Sequence, residues 1–202
     1  SGRPAKKRNR KPAPGPKPDG PTRLIKRLLF LTPILVLGVL AIYFTLGLQR
    51  DSKILPSVLI NTPVPEFSLA AIEGAEQGFS SLDLKGKVPL VNIFGSWCYA
   101  CLAEHPFLMQ LTKNKVLPIY GIDWREQDRT SGPRWLKRRG NPYVLVGDDP
   151  KSRGAIAFGV TGAPESFIVD KAGIIRYKHI GVINEANWNQ TLFPIVQKLR
   201  QK

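Results

Sequence analysis

The chain of 202 residues has two cysteines, and both fall in one stretch, GSWCYACLAEHP, where Cys98 and Cys101 stand two residues apart. A pair at this spacing can close a disulfide, and at the start of a helix it can also exchange one. Unpaired backbone N–H groups and the positive end of the helix dipole there favour a thiolate at the first sulfur. A thiolate attacks a partner's disulfide, and a nearby second thiol resolves the mixed disulfide that forms. The spacing therefore makes Cys98 the attacking cysteine and Cys101 the resolving one. Two plainer chemistries use the same residues. One is a stabilising bridge, although so short a loop constrains the unfolded chain little. The other is a metal site: His105 and His179 are the chain's two histidines and no second thiolate pair exists, so the cysteines could serve zinc shared between chains or a copper relay.

Redox chemistry requires elements that hold the pair at a helix N-terminus. The run VPLVNIFG, Val88 to Gly95, is apolar apart from Asn92 and short enough for a fully buried strand. After the cysteines, Leu102, Phe107, Leu108 and Leu111 recur at helical spacing, with Pro106 implying a kink or a broken first part. Val116 to Asp123 reads as the next strand. A short helix follows from about Pro133 to Arg139, stopped by Gly140. YVLVGDD is a further strand and KSRGAIAFGV a short helix. Phe167 to Val169 and Ile174 to Lys178 form a hairpin, in which Asp170, Lys171 and Gly173 serve as turn residues. The chain closes on an amphipathic helix carrying Trp188, Leu192, Ile195, Val196 and Leu199. Upstream, Phe67 to Ala70 is a short strand and FSSLDLKGK a strand or turn. Strands separated by helices, then a hairpin and a last helix, predict an α/β sandwich around a mixed sheet.

The net charge of +15 looks at first like a nucleic-acid footprint, but its placement argues otherwise. Residues 1–27 hold ten Lys or Arg against Asp19 alone, so the tail carries +9 and the rest of the chain only +6. Six prolines in residues 1–21, with almost nothing large and apolar, predict a disordered basic tail. Leu28 to Leu48 is a stretch of 21 uncharged residues, which as a helix reaches the roughly 30 Å of a bilayer's hydrocarbon core. Arg23, Lys26 and Arg27 precede it, so the positive-inside rule places the N-terminus in the cytoplasm and the rest across the membrane. A cleaved signal peptide fits less well, because its apolar core is shorter. The expected organisation is a tail over 1–27, a transmembrane helix over 28–48, a proline-containing linker over 49–66 and a domain over 67–202. The domain shows no aromatic–basic pattern, which argues against nucleic acid as a partner.

Two motifs in order, about 60 residues apart, carry a family resemblance. The stretch WCYACLAEHPFLMQL after VPLVNIFGS resembles the active site of thioredoxin-fold proteins. GVTGAPESFIVDKAGIIRYKHIGVI, from Gly159 to Ile183, resembles their loop with a cis-proline facing the disulfide. The closest likeness is to the membrane-anchored, periplasmic thiol:disulfide interchange proteins of cytochrome c biogenesis, the CcmG/DsbE type. That family's pattern falls on Trp97, Cys98, Cys101, Glu104 and His105, and again on Gly159, Val160, Gly162, Pro164 and Glu165. RWLKRRGNPY resembles its central insert.

The resemblance implies a thioredoxin-like fold with no cofactor, reducing apocytochrome c at its haem-attachment cysteines or a haem-ligation partner that presents them. It also implies a transmembrane electron donor and residence in a bacterial inner membrane. Pro164, in the cis form, would set the backbone of Ala163 against the substrate. Glu104 and Glu165 would shape the groove, and Trp97 would cover the disulfide. His105 receives no catalytic role and reads as a surface residue of the helix. One departure stands out, since Tyr99 occupies a place where proline is common. Tyr99 and Ala100 lie between the cysteines and so tune the pair. Two alternatives use the same thiols: a related anchored reductase with another substrate, such as one serving spore or cytochrome oxidase assembly, and a copper chaperone or adaptor.

Overall fold

The run read as a buried strand is the middle of a sheet. In the computed structural model, Leu90–Phe94 forms a strand in which every residue is buried. The structure describes residue 15, residues 21–48 as backbone and 59–201 in full, with side chains of the first helix described over 31–45. The expected tail up to residue 20, Gly15 excepted, and the linker over 49–58 lie outside the described residues.

The chain divides into two units, Ser1–Ser52 and Lys53–Lys202. In the first, Pro21–Leu48 is a helix, α1, which starts ahead of the expected Leu28. Pro21 opens it, where a missing N–H costs no helical bond. Every residue from 31 to 45 is exposed, including the apolar side chains of Leu31, Ile34, Leu37 and Ile42. Among the described residues no helix is long and apolar enough to cross a membrane. The stretch in question, Leu28 to Leu48, extends past 31–45 at both ends.

The second unit has a thioredoxin-like α/β architecture. Its strands are β1 (Ser68–Ala71), β2 (Phe79–Ser80), β3 (Leu90–Phe94), β4 (Ile119–Trp124), β5 (Leu145–Asp149), β6 (Glu165–Val169) and β7 (Ile175–Ile180). They form one sheet in the order β2-β1-β5-β4-β3-β6-β7. The pairs β3–β4 and β4–β5 are parallel, while β6 runs antiparallel to β3. Residues 59–64 return to the free edge of β7, where Val64 N–H donates to Gly173 O at 2.8 Å and Asn61 N–H to Ile175 O at 2.7 Å. An edge so covered offers less unpaired backbone to other chains.

The helices are α2 (Tyr99–Lys113), α3 (Ser131–Arg139), α4 (Arg153–Ala157), α5 (Glu185–Asn187) and α6 (Phe193–Gln201). Alternation along β3 sends Leu90 and Phe94 into the core shared with α2, α3 and the C-terminal helices and Val91 and Ile93 into the core beneath α4. Phe94 stacks on Tyr143 at 4.8 Å between ring centres and on Trp135 of α3 at 5.8 Å.

Two expectations about helices change. α2 runs unbroken through Pro106 rather than splitting there. The last helix is not continuous, because Trp188–Leu192 forms a π turn between α5 and α6. Phe193 N–H reaches back five residues to Trp188 O. The wider turn brings Pro194 into the first turn of α6, where its absent N–H is not needed.

Removing the Phe94 ring, which is 1% exposed, should leave an aromatic-lined cavity on the α3 side. Phe94→Ala is expected to lower unfolding free energy by about 3–5 kcal/mol, measured from urea midpoints at unchanged slope.

Candidate active site

β3 ends at Phe94, and a turn through Gly95 and Ser96 leads into the helix that starts just after Cys98. Cys98 N–H donates to Gly95 O at 3.1 Å, closing the turn. Trp97 folds over Gly95 so closely that a Cβ at that position would lie 2.5 Å from the indole nitrogen. Cys98 is the N-cap of α2, and its sulfur accepts from Cys101 N–H at 3.0 Å. Cys98 and Cys101 are joined in a disulfide. The first sulfur therefore sits where the sequence places it, among the free N–H groups of a helix start, which favour negative charge. Cys98 is 5% exposed and Cys101 1%, so the second cysteine is the more deeply covered.

Side chains around the pair differ sharply in exposure. Tyr99 is 85% exposed and Trp97 half-exposed. The Trp97 indole N–H donates to Trp124 O at 3.1 Å, and the two rings lie 5.9 Å apart. Ala100 and Ala163 are partly buried against the core that holds the cysteines. The Ala163–Pro164 peptide is cis. Because Glu165 pairs with Ile93 in register, Pro164 lies at the end of the sheet from which α2 springs.

The two acidic residues singled out by sequence have different environments. Glu104 stands one turn after Cys101 on α2, the same face in helical spacing, and is 1% exposed. Its carboxyl accepts from Asn92 Nδ2 at 2.8 Å and from Ile183 N–H at 3.0 Å. Asn92 in turn accepts from Tyr143 OH at 2.8 Å and donates to Ser166 Oγ at 2.9 Å. Burial outweighs these two hydrogen bonds and pushes the Glu104 carboxyl up to about 7. Burial, with the charges of Glu104 and Asp123, also holds the Tyr143 phenol well above its ordinary range.

Glu165 fastens the loop that precedes it. It accepts from Thr161 N–H at 3.0 Å, from Gly162 N–H at 3.1 Å and from the Thr161 hydroxyl. Its other oxygen pairs with Lys178 Nζ at 3.0 Å.

His105 departs from expectation. It is buried, not a surface residue, with its ring edge-on to Trp135 at 4.4 Å. Burial holds its pKa below the ordinary value despite the nearby carbonyls of Arg139 and Gly140. Among the described residues no group of three His, Cys, Asp or Glu is placed to hold a metal ion.

Sequence reading did not single out Tyr143, Ser166, Asp123 or Glu126 for this site. Only Asn92 left a signal, as the one polar residue in an otherwise apolar strand.

A sheet of this order, a disulfide at the start of the helix after its central strand and a cis-proline at the same end together define a thioredoxin-fold redox protein. The redoxin family model matches residues 59–192. A thiol:disulfide interchange protein DsbE of Pseudomonas aeruginosa is 38% identical over 175 residues, covering 87% of this chain and 96% of that protein. Another, from Allochromatium vinosum, is 38% identical over 168 residues, covering 83% and 92%. Among solved structures, a thioredoxin-family thiol:disulfide interchange protein from Chlorobium tepidum superposes with a TM-score of 0.57 at 30% identity, covering 69% of this chain and 96% of that one. The chain belongs to the DsbE/CcmG-type thiol:disulfide interchange family.

The Glu104 carboxyl ties stability to pH. Its folded value, about 7, lies above its ordinary 4.5. The folded state thus holds the proton more tightly, and that stabilisation, complete below the ordinary value, is lost as pH rises through 7. Glu104→Gln cannot titrate. Between about pH 5 and 8 its melting temperature should fall less than the wild type's, as read by thermal unfolding at each pH.

Proposed function

We propose that this protein is a membrane-anchored reductase of disulfides in partner proteins, serving cytochrome c maturation. The observation that carries the reading is the Cys98–Cys101 disulfide at the N-terminus of α2, in a chain of this family. In the reduced protein the Cys98 thiolate attacks one sulfur of the partner's disulfide, and the other leaves as a thiolate that takes up a proton. Cys101 then gives up its proton and attacks the Cys98 sulfur of the mixed disulfide. The partner leaves with two thiols, and Cys98 and Cys101 leave oxidised, two electrons having passed.

Trp97 shields the pair from one side. Ala163, held before the cis bond, offers its backbone to the partner's cysteine-bearing strand. Glu104, beneath Cys101 on the helix, is suited to exchange a proton with it, since a carboxyl with a value near 7 can both take and give one at neutral pH. Glu165 maintains the loop that carries Ala163. Tyr99 and Ala100 bear on the redox balance of the pair.

The partner is apocytochrome c at its haem-attachment cysteines, or a haem-ligation protein that presents them. Reduction in an oxidising compartment needs a dedicated donor, so electrons arrive from a transmembrane protein. Anchoring through Leu28 to Leu48 keeps the domain near both partners. The helix over Pro21–Leu48 and its exposed apolar side chains support a span. The basic residues ahead of it support a cytoplasmic N-terminus and a periplasmic domain in a bacterial inner membrane.

Cells carrying Cys101→Ala should accumulate mixed disulfides on Cys98, identified by non-reducing electrophoresis and mass spectrometry. Recovery of an apocytochrome or haem-ligation protein supports the reading. No trapped partner, together with normal cytochrome c in a Cys98→Ala strain, refutes it. A cysteine placed at Ser52 should react with a membrane-impermeant maleimide in intact spheroplasts, whereas one placed at Gly20 should react only after lysis.

A further inference from the structure

The turn that delivers Cys98 is held from outside its own strand. Glu126, 8% exposed, receives both hydrogen-bond donors of Ser96: the backbone N–H and the hydroxyl, the latter at 2.9 Å. Two residues earlier, Trp124 O receives the indole of Trp97. The chain leaving β4 therefore holds residues 96 and 97, immediately ahead of the attacking sulfur. Both carboxyl oxygens of Glu126 are thus engaged as acceptors.

Behind Glu126 lies Asp123, 1% exposed. Its Oδ1 has no hydrogen-bond partner. Its Oδ2 is packed so tightly against α3 that a Cβ on Gly132 would sit 1.7 Å away. Asp123 and Glu126 interact directly, and two neighbouring buried carboxyls do not readily both ionise. With Glu126 committed to Ser96, the proton of the pair belongs on Asp123. Burial, then Glu126, then the charge of Asp148 push the Asp123 carboxyl up to about 8.

We propose that Glu126 is a positioning residue for disulfide exchange, presenting Trp97 and Cys98 through Ser96, and that it does so only while Asp123 keeps its proton. The proposal rests on the reductase reading above and adds residues to that site. A nucleophile's reactivity depends on its alignment, and loosening the segment before it lowers the rate without touching the sulfur. Once Asp123 ionises, two anions face one another in a buried space and the clamp on Ser96 weakens.

The other charged groups packed there are accounted for. Asp148 of β5 is paired with Arg129. Asp149 accepts from the N–H groups of Arg153 and Ala155 at 2.6 and 2.8 Å. Arg125 lies over the Trp124 ring at 5.5 Å. Arg134 of α3 pairs with Asp128, and Tyr143 approaches from the segment before β5, with its phenol held neutral. None of these neutralises Asp123.

The test uses the reduced full-length chain in detergent and a small aromatic disulfide, dithiobis(nitrobenzoate), followed from about pH 6 to about pH 9.5. Thiolate formation alone makes the second-order rate constant rise with pH. The wild type should fall below that curve above about 8, the Asp123 value. Asp123→Asn, which stays uncharged at every pH, should follow the simple curve throughout. Glu126→Ala should be slower by about tenfold below about pH 8, as befits one lost charged hydrogen-bond acceptor, with the gap to wild type closing above it, and Glu126→Gln should recover part of the rate with its one acceptor oxygen. Parallel wild-type and Asp123→Asn profiles, or a Glu126→Ala rate equal to wild type below about pH 8, overturn the proposal. If Glu126→Ala shows no cooperative unfolding, Ser96→Ala decides in its place, with a wild-type rate overturning the proposal and a several-fold loss sustaining it. A wild-type chain that does not reduce the probe at all overturns the reductase reading and this proposal together.

Discussion

The pairing of β3 on both sides is the constraint from which the site follows. β3 is buried on both faces and hydrogen-bonded to parallel β4 and antiparallel β6. In that register Phe94 lies beside Asp123, and Ile93 beside Glu165. The exit of β3, the exit of β4 and the entry of β6 therefore meet at one end of the sheet. Cys98 follows the first, Glu126 the second, and Pro164 precedes the third. A slip of one residue would turn Asn92 away from Glu104 and exchange the two cores.

Such convergence places polar groups where water does not reach. Asn92, Glu104, Tyr143 and Ser166 are each buried, and each has a hydrogen-bond partner within the group or on the neighbouring backbone. An unpartnered group in that position costs about 1–3 kcal/mol, so the network keeps its arrangement. The same burial moves Glu104 from an ordinary carboxylate to one that titrates near neutral pH. Glu165 shows the opposite treatment. Surrounded by N–H donors and Lys178, it fastens the loop that precedes it. Two glutamates that look alike in a sequence motif thus do different work because one faces a carboxamide and a single N–H while the other faces an ammonium.

Legibility from sequence was uneven, for physical reasons. The near-continuous apolar run from Val88 to Gly95, the helical spacing after Cys101 and the turn at Lys171–Gly173 are local signals, and local signals specify elements. The C-terminal helix misled because its amphipathic spacing continues through residues whose backbone must widen into a π turn ahead of Pro194. His105 misled because helical position does not say which neighbour covers a face, and Trp135 covers this one.

By itself the sequence determined the covalent and short-range facts: two cysteines one helical turn apart, the strand that must precede them, and a proline-containing loop ahead of a hairpin. Spacing along a chain is enough for these, since each depends on residues within a few positions of one another. Only the tertiary structure decided which carboxyls are buried, which are paired and what holds the turn before Cys98. Asn92 and Glu104 are 12 residues apart, Ser96 and Glu126 are 30, and Glu104 and Ile183 are 79. Hydrogen bonds and desolvation act over a few ångströms, so these contacts exist only after the sheet has brought distant strand ends together.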